Sequence, residues 1–88
     1  MPFKDRRFEM RFQLPQAVCE EIRRAVVEAA LLALDTIITG QGGILEIISR
    51  DSEVTVFRVS RHITSLMIRR RLSSMGLKPE ITMVTDPK

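Results

Sequence analysis

The stretch GQGGILEIISRDSEVTVFRVS, residues 40–60, holds the features that decide the fold. Its glycines end a helix and make a turn, because glycine readily adopts the backbone angles found just past a helix end. Residues 44–49 and 53–59 are rich in β-branched side chains and are separated by a short polar turn. The pattern predicts a β-hairpin that follows a helix. Ser60 then stands where it could cap a second helix.

Alternation and helical periodicity supply the remaining elements. Residues 6–14 alternate apolar and polar side chains, which predicts a half-buried strand. Pro15 is tolerated in a first helical turn, so we predict a helix from Pro15 to about Thr39. A second helix is expected over residues 61–75, and a last strand over residues 80–85.

The element order β-α-β-β-α-β predicts the split βαβ arrangement, also called ferredoxin-like. In this α+β sandwich, two helices cover one face of a four-stranded antiparallel sheet. The 88 residues suit one domain, residues 1–88, in which we expect residues 1–5 and 86–88 to be flexible. A chain of this length buries only about 60–65% of the surface that its unfolded form exposes, so a partner subunit would add stability.

Composition limits the location and the class of protein. The content of 44% apolar and 28% charged residues is typical of a globular domain. Cys19 is the one cysteine, which favours a reducing compartment and hence a cytoplasmic location. No stretch has the roughly 18 apolar residues of a membrane span, so we expect no membrane partner.

The first helix carries two apolar stripes. One is predicted to face the sheet, because its alanines permit close approach, and it comprises Cys19, Ile22, Val26, Ala29, Ala30, Ala33 and Ile37. The second has larger side chains at four-, three- and four-residue spacing and comprises Val27, Leu31, Leu34 and Ile38. Two interpretations of this second stripe remain open: it packs against the other helix of the same chain, or it forms a subunit interface.

The hairpin raises the same question. With Ile48 opposite Val54, one face of the hairpin presents four aliphatic residues: Ile44, Ile48, Val54 and Val56. An aliphatic cluster on an open sheet face is typical of an interaction site, and a homodimer is the simplest assembly that would cover it. The alternatives are that a short hairpin tolerates a few exposed aliphatics, or that its register differs by one residue.

Glu46 lies among these aliphatics, opposite Val56 in that register. An interface over this face would remove water from the carboxylate, which would then need a cationic partner. Arg11 and Arg58 are the candidates, and the interpretation is a structural ion pair at an interface.

The segment of residues 58–78 carries six basic residues and no acidic ones. Arg69, Arg70 and Arg71 cannot form one compact patch, because consecutive helical residues project 100° apart. The candidate polyanion-binding residues are Arg58, Arg61, His62, Ser65, Arg69 and Lys78. Their partner would be nucleic acid or an acidic protein. The alternative is a solvated basic face that serves solubility.

Signals for catalysis are weak, and we expect no cofactor and no metal. GQGG follows a helix, whereas a phosphate-binding loop precedes one. One histidine and one cysteine do not supply a metal site. The leading hypothesis is therefore a non-catalytic, homo-oligomeric interaction or assembly module. The alternatives are a nucleic-acid-binding protein, and a small ligand-binding or catalytic domain with its site at a subunit interface.

Overall fold

A computed structural model describes residues 6–15, 17–51, 53–60 and 62–84. The elements are β1 (Arg6–Phe12), α1 (Glu20–Gly40), β2 (Leu45–Arg50), β3 (Val54–Val59), α2 (Ser65–Ser74) and β4 (Pro79–Val84). The strands form one antiparallel sheet in the order β2-β3-β1-β4. The predicted ferredoxin-like α+β arrangement is confirmed. The expected flexibility of residues 1–5 and 86–88 concerns a part of the chain outside the described residues.

The core lies between one face of the sheet and the two helices. Alternate residues of β1 and β3, such as Phe8 and Phe57, point into it, and their rings lie 6.1 Å apart. The helices contribute the buried aliphatics Val27, Ala30, Leu31, Leu34, Ile38, Ile68 and Leu72. We refer below to this side of the sheet as the helix side, and to the other as the open face.

Both helices begin later than predicted. The N–H of Val18 donates to the carbonyl oxygen of Pro15 at 3.0 Å, so a turn precedes α1, which begins at Glu20. α2 begins at Ser65 because Thr64 is its cap: the Thr64 hydroxyl accepts from the N–H of Met67 at 3.4 Å. The prediction that Ser60 caps this helix is wrong.

Both helices end in the same hydrogen-bonded motif. After α1, Gly43 N–H donates to the Ile38 carbonyl and Gly42 N–H to the Thr39 carbonyl. After α2, the corresponding donors are the N–H groups of Leu77 and Gly76. Gly42 and Gly76 have φ angles of +78° and +81°, a left-handed conformation that glycine adopts without strain. The prediction that GQGG is a helix end and turn agrees with this geometry.

Ser60 is instead buried where α1 is joined to β2. Its hydroxyl accepts a hydrogen bond from the N–H of Ile44 and donates to the Ile44 carbonyl oxygen at 3.3 Å. The backbone of Gly43 passes so closely that a Cβ atom there would lie 3.0–3.1 Å from atoms of Ile38, Ile63 and Ser60. This contact fixes how the end of α1 is positioned against β2.

The hairpin register differs from the prediction. Glu46 lies opposite Arg58 rather than Val56, and Ile47 lies opposite Phe57. The register then shifts between Ile47 and Ser49, so Ile48 is an extra residue in a β-bulge. Glu46 still faces the open side, as predicted, because the error moved its pairing by an even number of residues.

The two edge strands present different outer edges. Phe12 donates its N–H towards β3, to the carbonyl of Glu53, so its partner on the other side, Pro79, directs its nitrogen outward. A proline there leaves no free N–H. Two residues on, the outward carbonyl of Ile81 accepts from the Arg69 guanidinium at 2.8 Å. On β2, the bulge at Ile48 interrupts the regular edge instead. Both devices are ways in which proteins discourage pairing with a further strand.

Candidate protein-interaction surface

The structure decides which stripe of α1 faces the sheet. Leu34 and Ile38 are fully buried, and Val27 and Leu31 are 1% and 4% exposed. The prediction that Val27, Leu31, Leu34 and Ile38 form a subunit interface is therefore wrong, since the chain's own core already covers them. The other interpretation, packing against the second helix of the same chain, agrees in part, because these residues share one core with α2 and with the sheet. Large aliphatic side chains fill the space between a helix and a sheet better than alanines do.

The opposite face of α1 is apolar as well. Ile22, Ala25, Ala29 and Leu32 recur at three-, four- and three-residue spacing, and all four are exposed. Ile22 is 53% exposed and Leu32 is 69% exposed. Ile22 and Ala29 belong to the stripe that we predicted to face the sheet, and for these two residues the prediction is wrong. Two other members of that stripe agree with it, since Ala30 is buried in the core and Val26 packs against the core. We call these four residues the outer stripe.

Most exposed large apolar side chains lie on the helix side. Among the described residues there are eight, and six are on or beside the helices or on the sheet face that the helices cover. Ile47 and Met83 lie on the helix side of the sheet, because they are opposite Phe57 and Phe8, which point into the core. They are exposed because they are on the two edge strands, where the helices do not reach. The six are Ile22, Leu32, Ile47, Leu66, Met75 and Met83.

A groove of about 540 Å³ runs between α1 and β2. Leu32 and Ile47 contribute exposed apolar surface to it, and the deeper Leu31 and Leu45 also line it. Glu28, Asp35 and Arg50 supply its charged groups. Arg50 and Glu28 form an ion pair at 3.4 Å. The groove is thus apolar with charged groups among its lining, a composition suited to holding a protein segment.

The open face of the sheet is more polar than predicted. It carries the acids Glu9, Glu46 and Glu80 and the bases Arg7, Arg11 and Arg58, interspersed along the strands. Of its predicted interface residues, Val54 and Val56 are half-buried within the chain, and Ile48 belongs to the bulge. Ile44 is 68% exposed and stands just before β2. This face lacks a continuous aliphatic cluster over the residues that the structure describes.

Glu46 does contact one of its two predicted partners. Its carboxylate lies 3.5 Å from the Arg58 guanidinium, directly across the strand pair. Arg11 lies instead between Val54 and Glu80, farther along the strands. The side chains of Glu46 and Arg58 are 62% and 42% exposed, so water still reaches the pair. Whether an interface covers this ion pair stays a prediction.

The candidate polyanion-binding residues are divided between faces and ends of the molecule. Arg58 is on the open face and paired with Glu46, whereas Arg69 is on the helix side and bound to β4. His62 precedes α2 and Lys78 follows it, and both are exposed, while Ser65 is half-buried in the first turn. Arg61 lies outside the described residues. The described members of this set do not converge on one site, and polyanion binding stays a prediction.

Cys19 is exposed at the start of α1, so the prediction that it is buried against the sheet is wrong. The late start of α1 moves it out of the helical stripe. Within the described residues, no group of three or more histidine, cysteine, aspartate or glutamate side chains is arranged to hold a metal ion. None of the described helices combines the length and apolar character needed to cross a membrane.

The comparisons with known proteins support the fold alone. No family model matches the chain, and no curated protein matches it. Among solved structures, it is similar to the "De novo designed protein Ferredog-Diesel", with a TM-score of 0.53 and 20% identity. The match covers 93% of this chain and 87% of the designed one. A likeness at this identity carries no function, because one fold hosts many functions. The arrangement of the strands and helices is that of a ferredoxin-like α+β protein.

Proposed function

We propose that this chain is a small, non-catalytic assembly module that binds a second copy of itself through its helix side. The exposed Cys19 thiol supports a reducing, cytoplasmic setting for it. The proposal keeps the class of function predicted from the sequence and moves the contact surface from the open face to the helix side.

One observation carries the proposal: six of the eight exposed large apolar side chains among the described residues lie on the helix side. Isolated exposed aliphatics are normal on any protein, but a concentration of them on one side is typical of an interaction surface. The outer stripe adds a regular helical spacing, with alanines at its centre that allow another helix to approach closely.

The charges of the two helices favour a second copy as the partner. α1 holds four acidic and two basic residues, and α2 holds three arginines and no acid. A two-fold dimer that brings helix sides together can therefore place opposite charges across the interface. The open face is less suited to this role, since its charges are interspersed with half-buried valines.

Light scattering of the native mass, over a range of concentrations, tests the proposal. We expect a dimer for the wild type and a monomer for Leu32→Glu, because the new carboxylate would lie within the apolar contact. Leu32 is 69% exposed, so the substitution should leave the fold intact, which circular dichroism would check. Ile44→Glu is the matched control on the other side, and it should remain dimeric.

Two results would contradict the proposal. A wild type that stays monomeric at the highest concentrations would remove the need for a partner copy. A dimer that survives Leu32→Glu and is lost in Ile44→Glu would return the interface to the open face.

A further inference from the structure

The acids of α1 and the apolar surface beside them define one half of a possible contact. Glu28 and Asp35 are seven residues apart, so they lie on the same face of α1. Both line the groove between α1 and β2. Leu32 stands between them in sequence and lines the same groove, with Ile47 across it. A partner that fits would present an apolar side chain next to a positive charge.

α2 presents that combination. Leu66 and Arg70 are four residues apart on one face of the helix, and both are exposed, with Leu66 at 62%. Ile68 and Leu72 occupy the opposite, buried face. Arg69 is engaged by the carbonyl of Ile81, so Arg70 is the arginine at the centre of the outward face.

We propose that, in the dimer, α2 of each copy docks on the groove between α1 and β2 of the other. This inference rests on the proposed function and adds which elements meet. Leu66 packs on Leu32 and Ile47 of the partner copy, and Arg70 reaches Asp35. Two-fold symmetry then forms the contact twice.

The charges argue against the other pairing of the same surfaces. In an antiparallel contact of α1 with its own copy, the acidic flank of one helix meets the acidic flank of the other, because Glu21, Glu28 and Asp35 recur at seven-residue spacing beside the outer stripe. Like charges held together weaken such a contact. Docking of α2 on the groove brings arginine to that flank instead.

Charge exchange between Asp35 and Arg70 tests the inference. We expect each of the single variants Asp35→Arg and Arg70→Glu to dimerise at least about 10-fold more weakly than the wild type, because each contact would then hold two like charges. An equimolar mixture of the two variants should form a heterodimer of near wild-type affinity, since both of its contacts are again between opposite charges. Analytical ultracentrifugation measures the dissociation constants of the wild type, of each variant and of the mixture. Lys78→Glu is the control: it changes the net charge by the same amount as Arg70→Glu, but outside both helices, and should leave the dimer unchanged.

The outcomes separate this inference from the function on which it rests. If the wild type is a monomer, the proposed function fails, and this docking fails with it. If Leu32→Glu dissociates the dimer but both charge variants dimerise as the wild type does, the helix side is the interface and the α2 docking is wrong. If the single variants weaken the dimer and their mixture does not restore it, the two residues do not face each other, and the docking is again wrong.

Discussion

One apolar face of α1 is buried in the core, and the other apolar face of the same helix is exposed to solvent. The inner face, with Leu34 at its centre, is sealed against the sheet, whereas Leu32, two residues away, is 69% exposed. Both faces repeat with helical spacing, so periodicity alone does not distinguish them. The average side-chain size does differ: the inner face has one alanine, Ala30, among Val27, Leu31, Leu34 and Ile38, whereas two of the four residues of the outer stripe are alanines. A stripe rich in alanine can therefore be an outer surface that admits another helix.

The largest expected effect compares the two leucines directly. Leu34→Ala should lower the free energy of unfolding by about 2–5 kcal/mol, because it leaves a cavity in a closed core. Leu32→Ala should change the stability of the monomer by no more than about 0.5 kcal/mol, since its side chain is largely in water. Urea denaturation at protein concentrations low enough to keep the chain monomeric measures both. Equal losses would mean that the inner and outer faces have been assigned wrongly.

Gly43 sharpens the comparison because its close contacts lie where α1 is joined to β2, next to Ile38 of the inner face. Gly43→Ala puts a methyl group 3.0–3.1 Å from Ile38, Ile63 and Ser60 and should cost about 1–3 kcal/mol of stability. Gly40→Ala is the control, since a Cβ there meets nothing within 4 Å, and it should be neutral or slightly stabilising. Thermal unfolding of the two variants checks this. A Gly43→Ala protein as stable as the wild type would show that the junction is loose.

Thr55, on β3, tests how completely the core beneath α1 and α2 excludes water. Its hydroxyl is buried and has no hydrogen-bond partner among the described residues. Thr55→Val keeps the shape and removes the unsatisfied group, so it should raise the free energy of unfolding by about 1 kcal/mol. Thr82→Val, at an exposed position on the open face, should change little. A loss of stability in Thr55→Val would indicate that water reaches the hydroxyl.

Asp51 provides the smallest expected effect, at the end of the hairpin and outside both faces of α1. Hydrogen bonds from the N–H groups of Val54 and Glu53 hold the pKa of its carboxyl below the ordinary value of 3.8. A lowered pKa in the folded state means that the ionised form adds stability above the unfolded-state pKa, and that this is lost as the pH falls through the folded-state value.

The wild type should lose stability as the pH falls from neutral to about 3, and Asp51→Asn should lose slightly less. The difference is small because Asp51 is exposed to solvent. Melting temperatures across this range, compared with the wild type, measure it. The same loss in both proteins would mean that other carboxylates account for the acid sensitivity.

The sequence was sufficient for the fold because its signals were independent of one another. The alternation in residues 6–14, the glycines after each helix and the paired apolar runs of the hairpin each predicted one element, and their order left one arrangement. Register was harder, since the bulge at Ile48 adds a residue without breaking the apolar run. The prediction that Ser60 caps α2 failed because Thr64 is an equally suitable cap closer to the helix, and because the backbone of Ile44, which engages Ser60, is distant in sequence.

The candidate surface was less accessible to prediction than the fold. Leu32 was overlooked because our sequence analysis placed it in neither apolar stripe. It lies seven residues after Ala25, three after Ala29 and four before Thr36, a helical spacing that could have found it. The exposure of Ile47 and Met83 depends on how far two helices of 21 and 10 residues extend over the sheet, which is a property of packing rather than of local pattern.

The outer edges of the sheet affect how readily the protein aggregates at high concentration. Chains with exposed aliphatics are at risk of stacking strand upon strand into fibrils, a growth that has no natural end. Here Pro79 and the Arg69 guanidinium on one border, and the bulge at Ile48 on the other, deny an incoming strand an uninterrupted set of amide and carbonyl groups. Apolar association is thereby left to the helix side, where the proposed two-fold dimer would be a closed complex of two molecules.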